Sequence, residues 1–420
     1  MTIAAYSKYD AYRDSGVQWV GQFPANWELA RLGGLFEERR HKVSDTDFEP
    51  LSVTKNGIFP QLANAAKTND GENRKLVRAG DFVINSRSDR KGSSGISPLD
   101  GSVSLINIVL EPKRILPEFC HHLLKSYAFV EEYYRVGRGI VADLWTTRYD
   151  EMRTILIALP SPDEQRTIAA FLDGKCALID EAVRIKEKQI RLLVERRQIL
   201  IQQAVTRGLN PDAPMKDSGI DWIGQIPAHW EVKRNKHMFV EINERSAKGE
   251  EQHLSMSQKL GLVPADLVEK SLASESYQGA KLVRTGDLVL NRLKAHLAVF
   301  SLAPMEGLVS PDYSVFRPLV QGASSDYFEI LFKTSKYLGE FRLRVRGIVE
   351  GFYRLYTDDF MDCPLLLPPL DEQLQIVEHV RATTAQFHNV IAIKESQITA
   401  LREYKTSLIN AAVTGKIKVL

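Results

Sequence analysis

The sequence predicts an α+β protein made by tandem duplication, in which a mixed α/β part and a long amphipathic helix each occur twice in alternation. Three observations carry this. Collinear repeats lie about 200 residues apart, strand-like runs bounded by Gly, Asp and Pro recur inside each α/β part, and each helical part carries a heptad seam.

The repeats come first. SGVQWVGQFPANWE at 15–28 returns as SGIDWIGQIPAHWE at 218–231, 203 residues on. KLVRAGDFVIN at 75–85 returns as KLVRTGDLVLN at 281–291, and GSVSLINIVLEP at 101–112 as GLVSPDYSVFRP at 307–318, both 206 residues on. RGIV at 138 and 346, LPSPDEQ and LPPLDEQ at 159 and 367, and AVTRGL and AVTGKI at 204 and 412 keep an offset of 208. A period this long excludes a solenoid and indicates two copies of one module.

Within the α/β parts, FVIN, the run after Ser104, LVLN and YSVFRP read as short strands. Residues 117–134, with Phe119, Leu123, Leu124, Val130 and Tyr133 on one face, read as one amphipathic helix, matched by 326–343. The doubled head motif offers two tryptophans around a Gly and Pro turn and no reactive group, so its expected role is structural. The helical part opens at Ser161, Pro162 and Glu164, a capping box with proline at the first helical position. From there Leu172, Cys176, Ile179, Val183, Lys186, Ile190, Leu193, Arg197, Leu200 and Ala204 alternate steps of four and three. The second copy repeats the seam as Val380, Thr384, Phe387, Ile391, Lys394, Ile398, Leu401, Lys405, Leu408 and Ala412. Two seams in matched register, on helices of about 44 residues and roughly 65 Å, are expected to pack on each other. The expected boundaries are 1–158, 159–208, 209–217, 218–366 and 367–420: α/β domain, helix, linker, α/β domain, helix.

Composition narrows the chemistry. The 420 residues are 44% hydrophobic and 26% charged, an ordinary globular profile. A net charge of +2 means that any nucleic-acid surface must be local. Cys120, Cys176 and Cys363 form no CxxC pair, which argues against a disulfide framework or zinc site. No signal peptide and no run of about 18 apolar residues is present, so a cytoplasmic protein without membrane contact is expected. No phosphate-binding glycine motif and no Asn-Pro-Pro-aromatic tetrapeptide occurs, so no cofactor and no catalysis are expected. Asp100, Glu111 and Lys113 loosely mimic a nuclease spacing, but Arg317 replaces Glu111 in the second copy.

The doubled Ser-Gly, Trp, Gly, Pro and Trp-Glu head, the LPxxDEQ step into each helix and the AVT ending resemble the specificity subunit of type I restriction-modification systems. The match runs from about residue 14 to residue 418. The resemblance implies that the α/β parts are target recognition domains, each reading one half of a bipartite double-stranded DNA site. It also implies an antiparallel coiled coil, pseudo-twofold symmetric, that spaces the half-sites and docks two methyltransferase subunits and, through them, restriction subunits.

Such a reader should carry polar and basic loops beside rigid strands. SRSDRKGSSG at 86–95 offers Arg87, Arg90 and Lys91, and the matching NRLKAH offers Arg292, Lys294 and His296. A second pair of segments, 135–149 and 342–356, holds Arg138 and Arg346 in the shared RGIV, with Trp145, Arg148, Tyr353 and Arg354 in the divergent part. TKNG supplies Lys55 and Asn56, and SQKLG supplies Gln258 and Lys259. The rival reading is a coiled-coil adaptor whose duplicated domains bind proteins.

Overall fold

A computed structural model describes residues 3, 6–62, 71–140, 145–258, 260–268, 277–319, 323–347 and 353–419. The chain divides into two units, both built from both copies of the repeat: Met1–Glu187 with Lys394–Leu420, and Lys188–Ile393.

In the first unit a four-stranded antiparallel sheet runs in the order Ser94–Ile96, Phe82–Asn85, Asn107–Pro112, Phe36–Glu38. A second sheet pairs Gly101–Val103, Arg74–Val77 and Lys42–Val43, beside the hairpin Leu51–Thr54 and Gly57–Pro60. Side chains alternate across a strand. Val83 and Val109 therefore enter a small core with Leu51, Ile58, Val77 and Val103, while Phe82, Ile84, Ile108 and Leu110 enter the large core under the helices. The sheet is covered on both faces, which is why FVIN reads as a continuous apolar run. The second unit repeats the plan with Phe300–Leu302, Leu288–Asn291, Tyr313–Pro318 and Phe239–Ile242, and with Lys281–Val283 on Gly307–Val309.

The single helix expected over 117–134 is two, Pro117–Lys125 and Tyr127–Arg135. Ser126 between them is extended, and its hydroxyl accepts from the Phe129 amide, capping the second helix. The second copy breaks likewise into Ser325–Phe332 and Ser335–Arg344.

The long helices are Pro162–Arg207, 46 residues, and Leu370–Val413, 44 residues. In the first unit Leu172 and Ile179 share the core with Leu408, Ala411, Ala412 and Val413. Asp180 meets Lys405 at 2.7 Å, Lys186 meets Gln397 at 2.7 Å and Glu187 meets Arg402 at 2.8 Å. From Asp180 to Lys186 and Glu187 the partner drops from 405 to 397 and 402, so the pairing is antiparallel. In the second unit Ala204 and Val205 share a core with Ile376, Val377 and Val380. Along the seam Leu172, Ile179, Val183, Val380, Ile398 and Leu408 are buried, and Ile190, Leu193, Leu200, Phe387, Ile391 and Leu401 half-buried.

Two doubled motifs receive a physical reason. Trp27 and Trp230 are fully buried, each against the left-handed glycine that ends a long helix. A Cβ on Gly415 would lie 3.3 Å from the Trp27 ring and 2.3 Å from Pro24, and one on Gly208 would lie 3.4 Å from the Trp230 ring. The head motif is thus the seat for a helix end. In LPxxDEQ, Gln165 donates to the Pro160 carbonyl and accepts from the Leu116 amide, both at 2.9 Å. Gln373 does the same with Pro368 and Ser324, also at 2.9 Å. Half the capping box forms, the Glu164 amide donating to Ser161 Oγ at 3.4 Å, while the Glu164 carboxylate accepts from Tyr9 O–H at 2.6 Å.

The nuclease-like spacing is also structural. Asp81 is buried and held by Arg39, which also bonds Glu111. In the second unit Arg317, at the position of Glu111, holds the matching Asp287 at 2.8 Å, and Ile242 occupies the strand position of Arg39. The guanidinium has changed strands while the buried carboxylate has stayed.

Candidate nucleic-acid interface

In the first unit the three predicted segments converge on one edge of the sheets. The Thr147 amide donates to the Ser86 carbonyl at 3.0 Å, and isolated bridges join Arg87 to Thr146 and Arg138 to Thr146. Lys125 Nζ donates to the carbonyls of Lys55 and Ser94, tying the hairpin turn to the same helix and strand. The strand turn at 104–107 joins the cluster through the Ser86 amide, which donates to the Ile106 carbonyl.

The cationic side chains of the cluster differ in what they are free to do. Lys91 is 2.8 Å from Glu131 and lies over the Tyr134 ring at 4.5 Å, while Trp145 Nε1 donates to the Tyr134 carbonyl. These three make a brace for the loop. Arg87, Arg90, Arg138 and Arg148 are exposed, as are Lys55 and Asn56. Among the described residues, the ion pair of Arg90 is with its neighbour Asp89, at 3.4 Å, and that of Arg138 with Glu151, at 3.5 Å. Exposed pairs of this length hold a side chain weakly.

The second unit assembles the same segments through other atoms. Gln258 Nε2 donates to the Leu297 carbonyl, the Leu355 amide donates to the Arg292 carbonyl at 3.0 Å, and the His296 and Tyr353 rings meet edge to face. Arg292 is spent on Asp312 and Arg346 on Asp359. Arg354 is bridged to Arg346, and Lys294 is exposed. Burial and Arg342 push His296 below the ordinary histidine range, keeping its ring neutral. Lys259 lies outside the described residues.

Sequence reasoning missed Arg40, which lines a cleft of about 200 Å³ with Ser86 and Arg148. Its signal was present in the basic RRHK run after the strand Phe36–Glu38. Among the described residues no group of His, Cys, Asp and Glu is placed to hold a metal, and no helix is long and apolar enough to cross a membrane.

No family model matches the chain. Among curated proteins it is 20% identical over 430 residues to the type I restriction enzyme EcoDI specificity subunit of Escherichia coli, covering 95% of this chain and 90% of that one. It is 22% identical over 433 residues to the EcoKI specificity subunit of Escherichia coli strain K12, with the same coverage. The MjaVIII specificity subunit of Methanocaldococcus jannaschii is 22% identical, with 94% of each chain covered. The chain is a relative of the type I specificity subunits. Solved structures agree on the fold of this specificity-subunit relative. The HsdS subunit of Thermoanaerobacter tengcongensis superposes with a TM-score of 0.56 at 18% identity, covering 96% of this chain and all of that one. A chain from a study of complex assembly in a type I R-M system gives 0.68 at 18% identity, covering 93% and 98%.

Proposed function

We propose that the chain is a non-catalytic DNA-recognition subunit. The loop cluster of each unit reads one half of a bipartite, asymmetric double-stranded target. The paired helices recruit two methyltransferase subunits and, through them, restriction subunits. The observation that carries the reading is the convergence of three loops at matching places in two units, on matching strands, with different side chains at their tips. Two readers of different sequences need that combination: a shared frame, and divergent Arg, Lys, Gln and aromatic groups to meet phosphates and base edges.

The test is co-expression with a methyltransferase from the same genome and sequencing of the methylated sites. A gapped site with two unlike halves is expected, and the purified chain alone should neither methylate nor cut. Replacing Arg87, Arg90 and Lys91 by alanine should weaken reading or holding of one half, and replacing Arg292, Lys294 and His296 should affect the other. Each lost base contact is worth about 1–3 kcal/mol. Equal loss at both halves from changes in the first unit contradicts the division of labour. Binding should fall steeply with salt, as phosphate contact requires; binding indifferent to salt favours the protein adaptor.

A further inference from the structure

We infer that the first unit reads thymine through its methyl group, with Leu105 and Ile106 as the contacting side chains; the inference rests on the DNA-recognition role proposed above.

Both side chains are large, apolar and exposed, 43% and 39% accessible, and they are adjacent on the turn at 104–107. Single exposed apolar residues are common on any surface. This pair differs in sitting on a hydrogen-bonded turn that is joined to the loop cluster through the Ile106 carbonyl. The Asn107 amide donates to the Ser104 carbonyl at 3.0 Å, and Asn107 Nδ2 reaches Ser104 Oγ at 3.1 Å. Lys75 Nζ donates to the Asn107 carbonyl at 2.8 Å. Arg40, Ser86 and Arg148 line the same cleft as Leu105 and Ile106. Glu38, which holds Arg40, and Asp150 line that cleft too, so the apolar tip projects from a rim of mixed charge and suits neither water nor phosphate.

Of the groups that base pairs present in the major groove, the thymine C5 methyl is the apolar one. The second copy supplies an internal comparison. Its turn carries Pro311 and Asp312 at the same places, and Asp312 is used to hold Arg292. The same turn is therefore an apolar tip in one unit and a polar clamp in the other, and methyl reading is confined to the first unit.

Duplexes carrying the methylation-mapped target test this with the full chain and its methyltransferase. In the half-site affected by changes at Arg87 and Arg90, thymine is replaced by deoxyuridine, which keeps the base pair and removes only the methyl. Affinity should fall about fourfold per contacted methyl, the ratio given by about 0.8 kcal/mol per buried methyl-sized group. The same replacement in the other half-site should have no effect. A variant carrying L105S and I106S should bind thymine and deoxyuridine duplexes equally, while keeping its discrimination at the other half-site as proof of folding. The inference is overturned if that half-site holds no A·T pair, if deoxyuridine has no effect, or if the variant keeps the thymine preference. Absence of any sequence-dependent DNA binding would instead remove the recognition role itself.

Discussion

Residues show how the duplicated frame has been put to separate use. His121 and His122 stand where the second copy has Glu329 and Ile330. Burial pushes His121 down to about 4, helped by His122 and Lys125 and opposed by Asp173; burial also lowers His122, although its ring bonds Asp173 at 2.7 Å. Both rings are therefore neutral in the folded chain, whereas the unfolded chain protonates them near 6.5. Their contribution to stability is complete above that value and is lost as the pH falls toward 4, by about 3 kcal/mol for His121. Melting curves from pH 7 to 4.5 should show the first unit weakening, and His121→Gln should flatten that slope; an unchanged slope in the variant rules the assignment out. The position of the candidate loops was legible because matching strands flank unlike loops. Which charges are already spent was not: Lys91 meets Glu131 forty residues away, and no local pattern announces that pairing.

Elements were legible to the extent that their pattern is local. A heptad seam depends on neighbours three and four residues apart, so both long helices could be read directly, and the stripe is buried at Leu172, Ile179, Val183, Val380, Ile398 and Leu408 and half-buried between. The break at Ser126 could not, because Leu123, Leu124, Val130 and Tyr133 continue a helical face across it and the cap is a single hydroxyl. Nor did spacing reveal why LPxxDEQ ends in glutamine. Both atoms of that buried amide are used, so Gln165→Leu leaves the Leu116 amide and the Pro160 carbonyl without partners and should cost about 1–3 kcal/mol; Gln373→Leu should cost the second unit as much. Leu408→Ala, at a fully buried seam position, should cost the first unit about 2–5 kcal/mol. Calorimetry that resolves the two units decides both, and a Leu408→Ala loss confined to the second unit would contradict the antiparallel pairing.

The whole molecule follows from where each helix ends. The first unit's core contains Leu408, Ala412 and Val413, which belong to the second copy of the repeat. A fragment ending near residue 211 lacks them but carries Leu200, Ala204 and Val205, the same repeat positions in the first copy. Two fragments can exchange these ends, and an isologous pairing of identical helices closes as a dimer. The fragment should sediment as a dimer and, with a methyltransferase partner, select a gapped palindrome instead of the asymmetric site proposed for the full chain. A well-folded monomer would sink the exchange, and an asymmetric site would sink the assignment of one half-site to one domain.

The guanidinium that has changed strands bears on inheritance. Matching stretches such as KLVRAGDFVIN and KLVRTGDLVLN offer places where the two repeats within one gene could recombine. A hybrid joining the strand of Arg39 to the strand of Arg317 places two guanidiniums on one buried carboxylate, and the reciprocal hybrid joins Ile242 to Glu111 and leaves that carboxylate with none. Removing one partner of a buried pair costs about 3–5 kcal/mol. An exchange that splits a domain at this point should therefore destabilise it, while an exchange of an entire domain leaves the carboxylate with its own guanidinium. With the recognition role proposed above, new specificities should arise in lineages by shuffling whole domains, with point changes confined to the loop tips.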